Sequence, residues 1–417
     1  RGLSGARAAG DCRPYRGGRG GAGGRGLPPP PGGGGEGGGR GRRPLFKGVS
    51  PPPQTSAYRG LRKEVKMKEM KMTFRWYGES DPVSLEYISQ IPGMTGVVSA
   101  VYDVPPGKEW STESINKVKD AARAHNLAFE VVESVPVHED IKLGKPSRDE
   151  YIEVYRRNLK KLADAGVKVV CYNFMPVFDW LRSDLAHRNP DGSTSLVYRN
   201  AEVLAMDPNT KKLSLPGWDE SYTQDGLRAL LAEYKSVDEE KLWENMSYFL
   251  HGVIPVCEEN GIKMAIHPDD PPWGIFGLPR VITNAKNLER FCKLVDSEYN
   301  GLTLCTGSLG VDPKNDVVDM IRHFGAMRRI HFLHARNIKI EGDRDFNETG
   351  HFSANGSLDM YEILRAAWDV DFDGYIRPDH GRMIWGETGR PGYGLYDRAL
   401  GAAYINGIWE SINKTLG

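Results

Sequence analysis

Residues 328–336 read RRIHFLHAR, and residues 301–307, one helix earlier, read GLTLCTG. Both runs are short, apolar on both faces and bounded by turn residues, as strands buried in a parallel sheet are. A helical pattern follows each of them, over 313–325 and 357–370. The same alternation continues outward in both directions. Upstream lie 72–78 (MTFRWYG), 96–104 (GVVSAVYDV), 127–137 (LAFEVVESVPV), 168–177 (KVVCYNFMPV) and 262–268 (IKMAIHP), and downstream lies 375–380 (YIRPDH). Amphipathic stretches at 113–126, 147–165, 239–260, 284–296 and 395–415 fall between or after them. Ser147 with Glu150 three residues on reads as a capping box, and Gly166 and Gly261 close their helices. Eight strands with a helix after nearly every one predict an α/β fold, a (β/α)8 TIM barrel. An open doubly wound sheet is the alternative, but no Gly-rich phosphate loop follows the first strand.

The span 72–417 exceeds the roughly 250 residues of a typical barrel. The surplus is mostly an insertion after strand four, at about 178–238, with loop signals at Asn189-Pro190-Asp191-Gly192 and a short helix near 225–234. Connections that leave strand C-termini build the active-site face of such barrels.

Composition changes near residue 62. The preceding segment is rich in Gly, Pro and Arg, and Asp11 and Glu36 are its only acids. Such a sequence buries too little apolar surface to offset its ordering entropy, so 1–66 is expected to be a disordered leader and 67–417 the catalytic domain. An RG-rich RNA-binding arm would want interleaved aromatics, which the leader lacks. It reads instead as an upstream or fusion segment, because the first methionines are Met67, Met70 and Met72. It has no apolar core of a signal peptide.

The whole chain has 417 residues and zero formal net charge, which argues against nucleic acid or an anionic membrane as a partner of the barrel. No apolar run of about 18 residues occurs. Five widely spaced cysteines (Cys12, Cys171, Cys257, Cys292 and Cys305) do not make a disulfide framework and fit a reducing, cytoplasmic setting.

Four potential metal ligands end four consecutive strands: His267, Cys305, His334 and Asp379. In a closed barrel these ends converge. One thiolate, two imidazoles and a carboxylate form a plausible divalent-cation site, and ligand softness alone would favour Zn2+. Singly, each has a plainer reading as core cysteine, structural histidine or helix cap. Cys171 reads as core, and His331 is an odd number of residues from His334 and faces the other way. Asp269-Asp270, followed by two prolines, reads as a loop element beside the metal.

The strings FRWYG, YNFMPVFDW, HPDDPPWGIFGLPR, HFLHARN and RPDHGR, then GRPGYGLYDRALGAAYINGIWE, resemble the mannonate dehydratase family over essentially all of 72–417. The resemblance implies a (β/α)8 barrel, Mn2+ or Fe2+ as cofactor, and conversion of D-mannonate to 2-keto-3-deoxy-D-gluconate in hexuronate catabolism. It also implies the ligand set His267, Cys305, His334 and Asp379. A small sugar acid is the expected partner, with a homo-oligomer, a dimer, as the expected assembly.

Removing the C2 proton and the C3 hydroxyl of a 2,3-dihydroxy acid needs a base, an acid and electrostatic relief of charge on the carboxylate side. His380, next to Asp379, is the best proton-transfer residue; its alternative is a supporting hydrogen-bond role. Tyr393, in Gly392-Tyr393-Gly394, could arrive on a closing loop as the second. The resemblance supports both, and the sequence leaves open which is acid and which is base. Arg336 and Asn337 could hold the substrate carboxylate or hydroxyls, with Arg75 and Asn173 as further candidates. A metal-dependent sugar isomerase, or another sugar-acid dehydratase, is the alternative enzyme; isomerase sites lean on carboxylates and lack the Cys ligand.

Overall fold

A computed structural model of the chain describes residues 68–208 and 223–417. The expected leader, Cys12 and part of the insertion lie outside the described residues. The strands, in chain order, are β1 (Lys71–Arg75), β2 (Gly96–Ser99), β3 (Ala128–Glu133), β4 (Val169–Tyr172), β5 (Asp184–Arg188), β6 (Thr194–Tyr198), β7 (Lys263–Ile266), β8 (Asn300–Cys305), β9 (Ile330–Ala335), β10 (Ile338–Gly342), β11 (Asp345–Glu348) and β12 (Tyr375–Pro378). Eight of them close a parallel barrel in the order β1-β12-β9-β8-β7-β4-β3-β2. These are the eight strands expected from the sequence, so the TIM barrel stands.

Val98, Val131, Val169, Cys171, Ala265, Phe332 and Tyr375 fill the barrel interior, and a larger apolar cluster joins the strands' outer faces to the helices. Both faces are therefore buried, which is why the strands read as continuous apolar runs and not as alternations. Caps fix where the helices begin. Asp238, Asp316 and Asp359 each accept a backbone N–H in the first turn of helices 239–260, 317–326 and 360–369. Gly261, at φ 64°, ends the first of these in the left-handed conformation that glycine adopts without strain. The capping box expected at Ser147 does not form. The serine is itself in helical geometry, and its hydroxyl donates to Asp140 at 2.6 Å.

The insertion after β4 holds more order than its loop signals implied. Asn189–Gly192 is the turn of a hairpin, β5–β6, closed by Gly192 N–H to the Asn189 carbonyl at 2.9 Å. A second hairpin, β10–β11, follows β9, and the two join in an antiparallel sheet of order β10-β11-β6-β5. Both hairpins leave C-terminal strand ends, so this sheet belongs to the mouth of the barrel. The segment after β12 is fastened to it: Thr194 and Met383 exchange two backbone hydrogen bonds, of 3.1 and 2.8 Å.

Candidate active site

Parallel pairing sets the first relationships. Cys305 and His334 are register partners on β8 and β9, and His334 and Arg377 are partners on β9 and β12. His267 follows the end of β7, and its Nδ1 lies 2.7 Å from the Pro268 carbonyl, which leaves Nε2 for another partner. Ligand atoms of His267, Cys305 and His334 all lie within 4.8 Å of one another. Asp379 adjoins them, with Oδ2 3.5 Å from Cys305 Sγ and 3.9 Å from His334 Nδ1. The four residues expected to hold a metal are thus gathered at one place, and their mix of sulfur, nitrogen and oxygen donors suits a divalent transition metal.

Glu133, Cys171 and His334 form a second such cluster. It is a poorer cation site. Cys171 lies in the apolar filling of the barrel, where burial and then Glu133 push its thiol well above the usual range. The Glu133 carboxylate is already paired: Arg377 Nη2 donates to Oε1 at 3.0 Å, and Arg75 Nη1 stands 3.7 Å from Oε2. Burial alone would raise this carboxyl; Arg377 and Arg75 outweigh it and hold it well below the usual range.

His380 and Tyr393 meet directly. His380 Nε2 is 2.6 Å from the Tyr393 hydroxyl, and the ring centroids are 4.7 Å apart, edge to face. Only 2% and 8% of these residues is exposed, so the pair lies out of bulk water. Burial, with Tyr77 and Asp379 nearby, pushes the phenol well above its ordinary value, so Tyr393 keeps its proton at neutral pH. Tyr77 packs on Tyr393 at 5.1 Å, and Trp180 on His380 at 5.2 Å. The loop expected to close over substrate already lies folded here, with Gly381 N–H bound to the Gly392 carbonyl at 2.9 Å.

A lattice of buried charges surrounds these residues. Arg336 Nη1 donates to Asp270 at 2.9 Å and to Asp379 at 3.2 Å. Arg182, fully buried, donates to both oxygens of Asp270 (2.8 and 3.1 Å) and to Glu348 at 2.5 Å. Glu348 Oε1 in turn stands 3.2 Å from His380 Nδ1. Isolated charges could not be buried like this; alternating carboxylates and guanidiniums make it tolerable.

The four expected substrate-binding residues divide. Arg75 is in the mouth; one nitrogen donates to the Glu133 carbonyl, while its buried Nε has no partner. Arg336 is in the mouth as well; its Nε likewise lacks a hydrogen-bond partner, while its Nη1 donates to carboxylates. Asn173, at the end of β4, accepts from Met175 N–H at 3.2 Å. The Asn337 amide donates to the Phe352 carbonyl (2.8 Å) and accepts from Leu358 N–H (3.1 Å), so in this structure it fastens the segment 352–358.

Glu133, Arg182, Asp270, Glu348, Arg377 and Trp180 were not singled out as site residues from the sequence. Arg377 and Glu133 carried a usable signal, since a charge inside an apolar strand run needs a partner. Arg182 and Glu348 carried none, because they lie in polar segments where charge is ordinary.

Residues 70–416 match the family model described as D-mannonate dehydratase (UxuA). Mannonate dehydratase 2 of Halalkalibacterium halodurans is 57% identical over 345 residues, 83% of this chain and 100% of that protein. Mannonate dehydratase of Streptococcus agalactiae serotype Ia is 56% identical over 345 residues, 83% of this chain and 99% of that one. Among solved structures, mannonate dehydratase from Streptococcus suis serotype 2 superposes with a TM-score of 0.79 at 50% identity, over 84% of this chain and 96% of that chain. D-psicose 3-epimerase from Clostridium cellulolyticum H10, at 15% identity and a TM-score of 0.50 over 83% and 99% of the two chains, shares the fold alone.

Proposed function

The chain belongs to the mannonate dehydratase family, hydro-lyases that dehydrate D-mannonate, and from that premise we propose how its site eliminates water to give 2-keto-3-deoxy-D-gluconate. The observation that carries the reading is the meeting of a four-donor cluster and the His380–Tyr393 pair at one barrel mouth. His267, Cys305, His334 and Asp379 would hold a divalent metal, which when bound would supply Lewis-acid stabilisation of the charge beside the substrate carboxylate. We assign it as Mn2+ or Fe2+ because the residues match the family's set.

The protein's own groups supply the protons. Tyr393, with its raised phenol, donates in the resting pair, and His380 Nε2 accepts. Substrate takes the place of this hydrogen bond. His380 Nε2 removes the C2 proton, the C3–O bond breaks, and the leaving hydroxyl departs as water with the Tyr393 proton. The C2=C3 enol that remains becomes the 2-keto acid by gaining a proton at C3 and losing the enol proton. The direct His380–Tyr393 contact then returns the abstracted proton to the phenolate and resets both groups. Arg75, whose Nε is unpartnered, anchors the substrate carboxylate, and Asn173 a hydroxyl. Arg336 maintains the charge lattice. No helix among the described residues is long and apolar enough to cross a membrane. We place the enzyme in the cytoplasm, in hexuronate catabolism, as a dimer.

The reading is tested by incubating the purified protein and Mn2+ with D-mannonate or its C2 epimer D-gluconate. A 2-keto-3-deoxy acid should form from mannonate. Product from gluconate alone would overturn the substrate assignment.

A further inference from the structure

The small sheet over the mouth places one more carboxylate against the proton-transfer pair. Phe346 and Glu348 alternate on β11, and both are buried on the side facing the site. Phe346 stacks on Tyr198 at 5.4 Å and lies 4.9 Å from the Arg182 guanidinium, which locates the strand. Arg182 then donates to Glu348 Oε1 through Nε (3.1 Å) and Nη2 (2.5 Å), fixing the oxygen that meets His380 Nδ1 at 3.2 Å.

The tautomer of His380 follows from the available hydrogens. A carboxylate only accepts, so the contact with Glu348 requires a proton on Nδ1. Arg336 Nη1 also lies 3.5 Å from Nδ1 and would require the opposite. Its two hydrogens have nearer acceptors, Asp270 at 2.9 Å and Asp379 at 3.2 Å. In the neutral ring the proton therefore sits on Nδ1 and the lone pair on Nε2, the atom 2.6 Å from the Tyr393 hydroxyl. Burial would raise the Glu348 carboxyl, but Arg336 and Arg182 outweigh it and bring it down to about 2, so it stays an acceptor throughout the working range.

We propose that Glu348, held by Arg182, is the positioning residue that fixes His380 as the Nδ1-protonated tautomer with Nε2 free to act as the base. This rests on the dehydratase reading and on His380 as the proton acceptor. It also gives the accessory sheet a role: the β10–β11 hairpin delivers the carboxylate, and the segment leading into β5 delivers its clamp.

The test is a double-substitution cycle on the Mn2+-loaded enzyme with D-mannonate, comparing wild type, Glu348→Gln, His380→Asn and the pair. Glu348→Gln should lower kcat by on the order of 10²–10⁴, as loss of a histidine's orienting carboxylate does elsewhere. KM should stay within about threefold and metal content unchanged. In the His380→Asn background, Glu348→Gln should cost less than about threefold more, because the residue acts through the ring. An unchanged kcat in Glu348→Gln, or an equal loss in both backgrounds, would overturn the proposal. If circular dichroism shows Glu348→Gln unfolded, Glu348→Asp keeps the charge beside Arg182 but withdraws it from Nδ1, and the same pattern is expected. A failure of the underlying reading looks different: His380→Asn alone would keep the wild-type rate, which overturns this proposal too.

Discussion

Cys305 and His334 are register partners on adjacent parallel strands, so a thiol and an imidazole stand side by side at the barrel mouth without any loop to place them. His267 comes from the next strand over, and Asp379 from the strand on the far side of His334. If these four residues are the ligand set proposed above, each member should be needed. Cys305→Ser or His334→Ala should abolish tightly bound metal and turnover while the far-ultraviolet circular dichroism stays that of the barrel. Elemental analysis reads the outcome, and full metal occupancy in both variants would refute the ligand assignment.

Tyr393 touches Tyr77 and His380 through its ring, and only its hydroxyl reaches Nε2. Tyr393→Phe should therefore keep the packing and lose the proton donor. The expected result is a kcat lower by about 10²–10⁴, with thermal stability changed by no more than about one hydrogen bond, ~1 kcal/mol. A rate near wild type would move the acid role elsewhere.

Acid should unfold the barrel through its mouth. Burial opposes ionisation of Glu133 and Glu348, but Arg377 and Arg75 for the first, and Arg336 and Arg182 for the second, hold both carboxyls below their ordinary values, Glu348 at about 2. A carboxyl depressed in the folded state contributes stability that is complete above its unfolded value of about 4.3 and is lost as pH falls toward the folded value. Denaturant midpoints should thus be flat with respect to these groups above about pH 5 and fall between about pH 4 and 2. In Glu348→Gln the fall should be shallower. The same pH dependence in both proteins would contradict the pairing.

Residues 1–66 precede the family match, which begins at residue 70. Removing them should leave kcat, KM and thermal midpoint nearly unchanged. A large loss in any of the three would show that this segment supports the barrel.

The barrel and the gathering of the four candidate metal-binding residues were legible because the signals are local. Strands buried on both faces read as apolar runs, so His267, Cys305, His334 and Asp379 stand out where those runs end. The pairing of His380 with Tyr393 was expected only as shared membership of a site. Their 2.6 Å contact depends on how the segment between them folds back onto Thr194. The accessory sheet was not legible. Its strands are short and polar on their outer faces, and β6 finds its partner β11 well over a hundred residues later, so no window of sequence contains the pair. Arg182 and Glu348 were hidden with it. The bonds of Asn337 to Phe352 and Leu358 were not legible either, because they tie the link between β9 and β10 to a segment 15 to 21 residues on.

The central claim is that a proton-transfer pair and a metal cluster act as separate parts of one site, and His380 is where they can be pulled apart. His380→Asn removes the basic Nε2 but none of the four proposed metal-binding residues. The decisive measurement is kcat on D-mannonate with metal content determined on the same sample. The account predicts wild-type metal occupancy with turnover reduced by on the order of 10²–10⁴. Near-normal turnover with the metal still bound would contradict it.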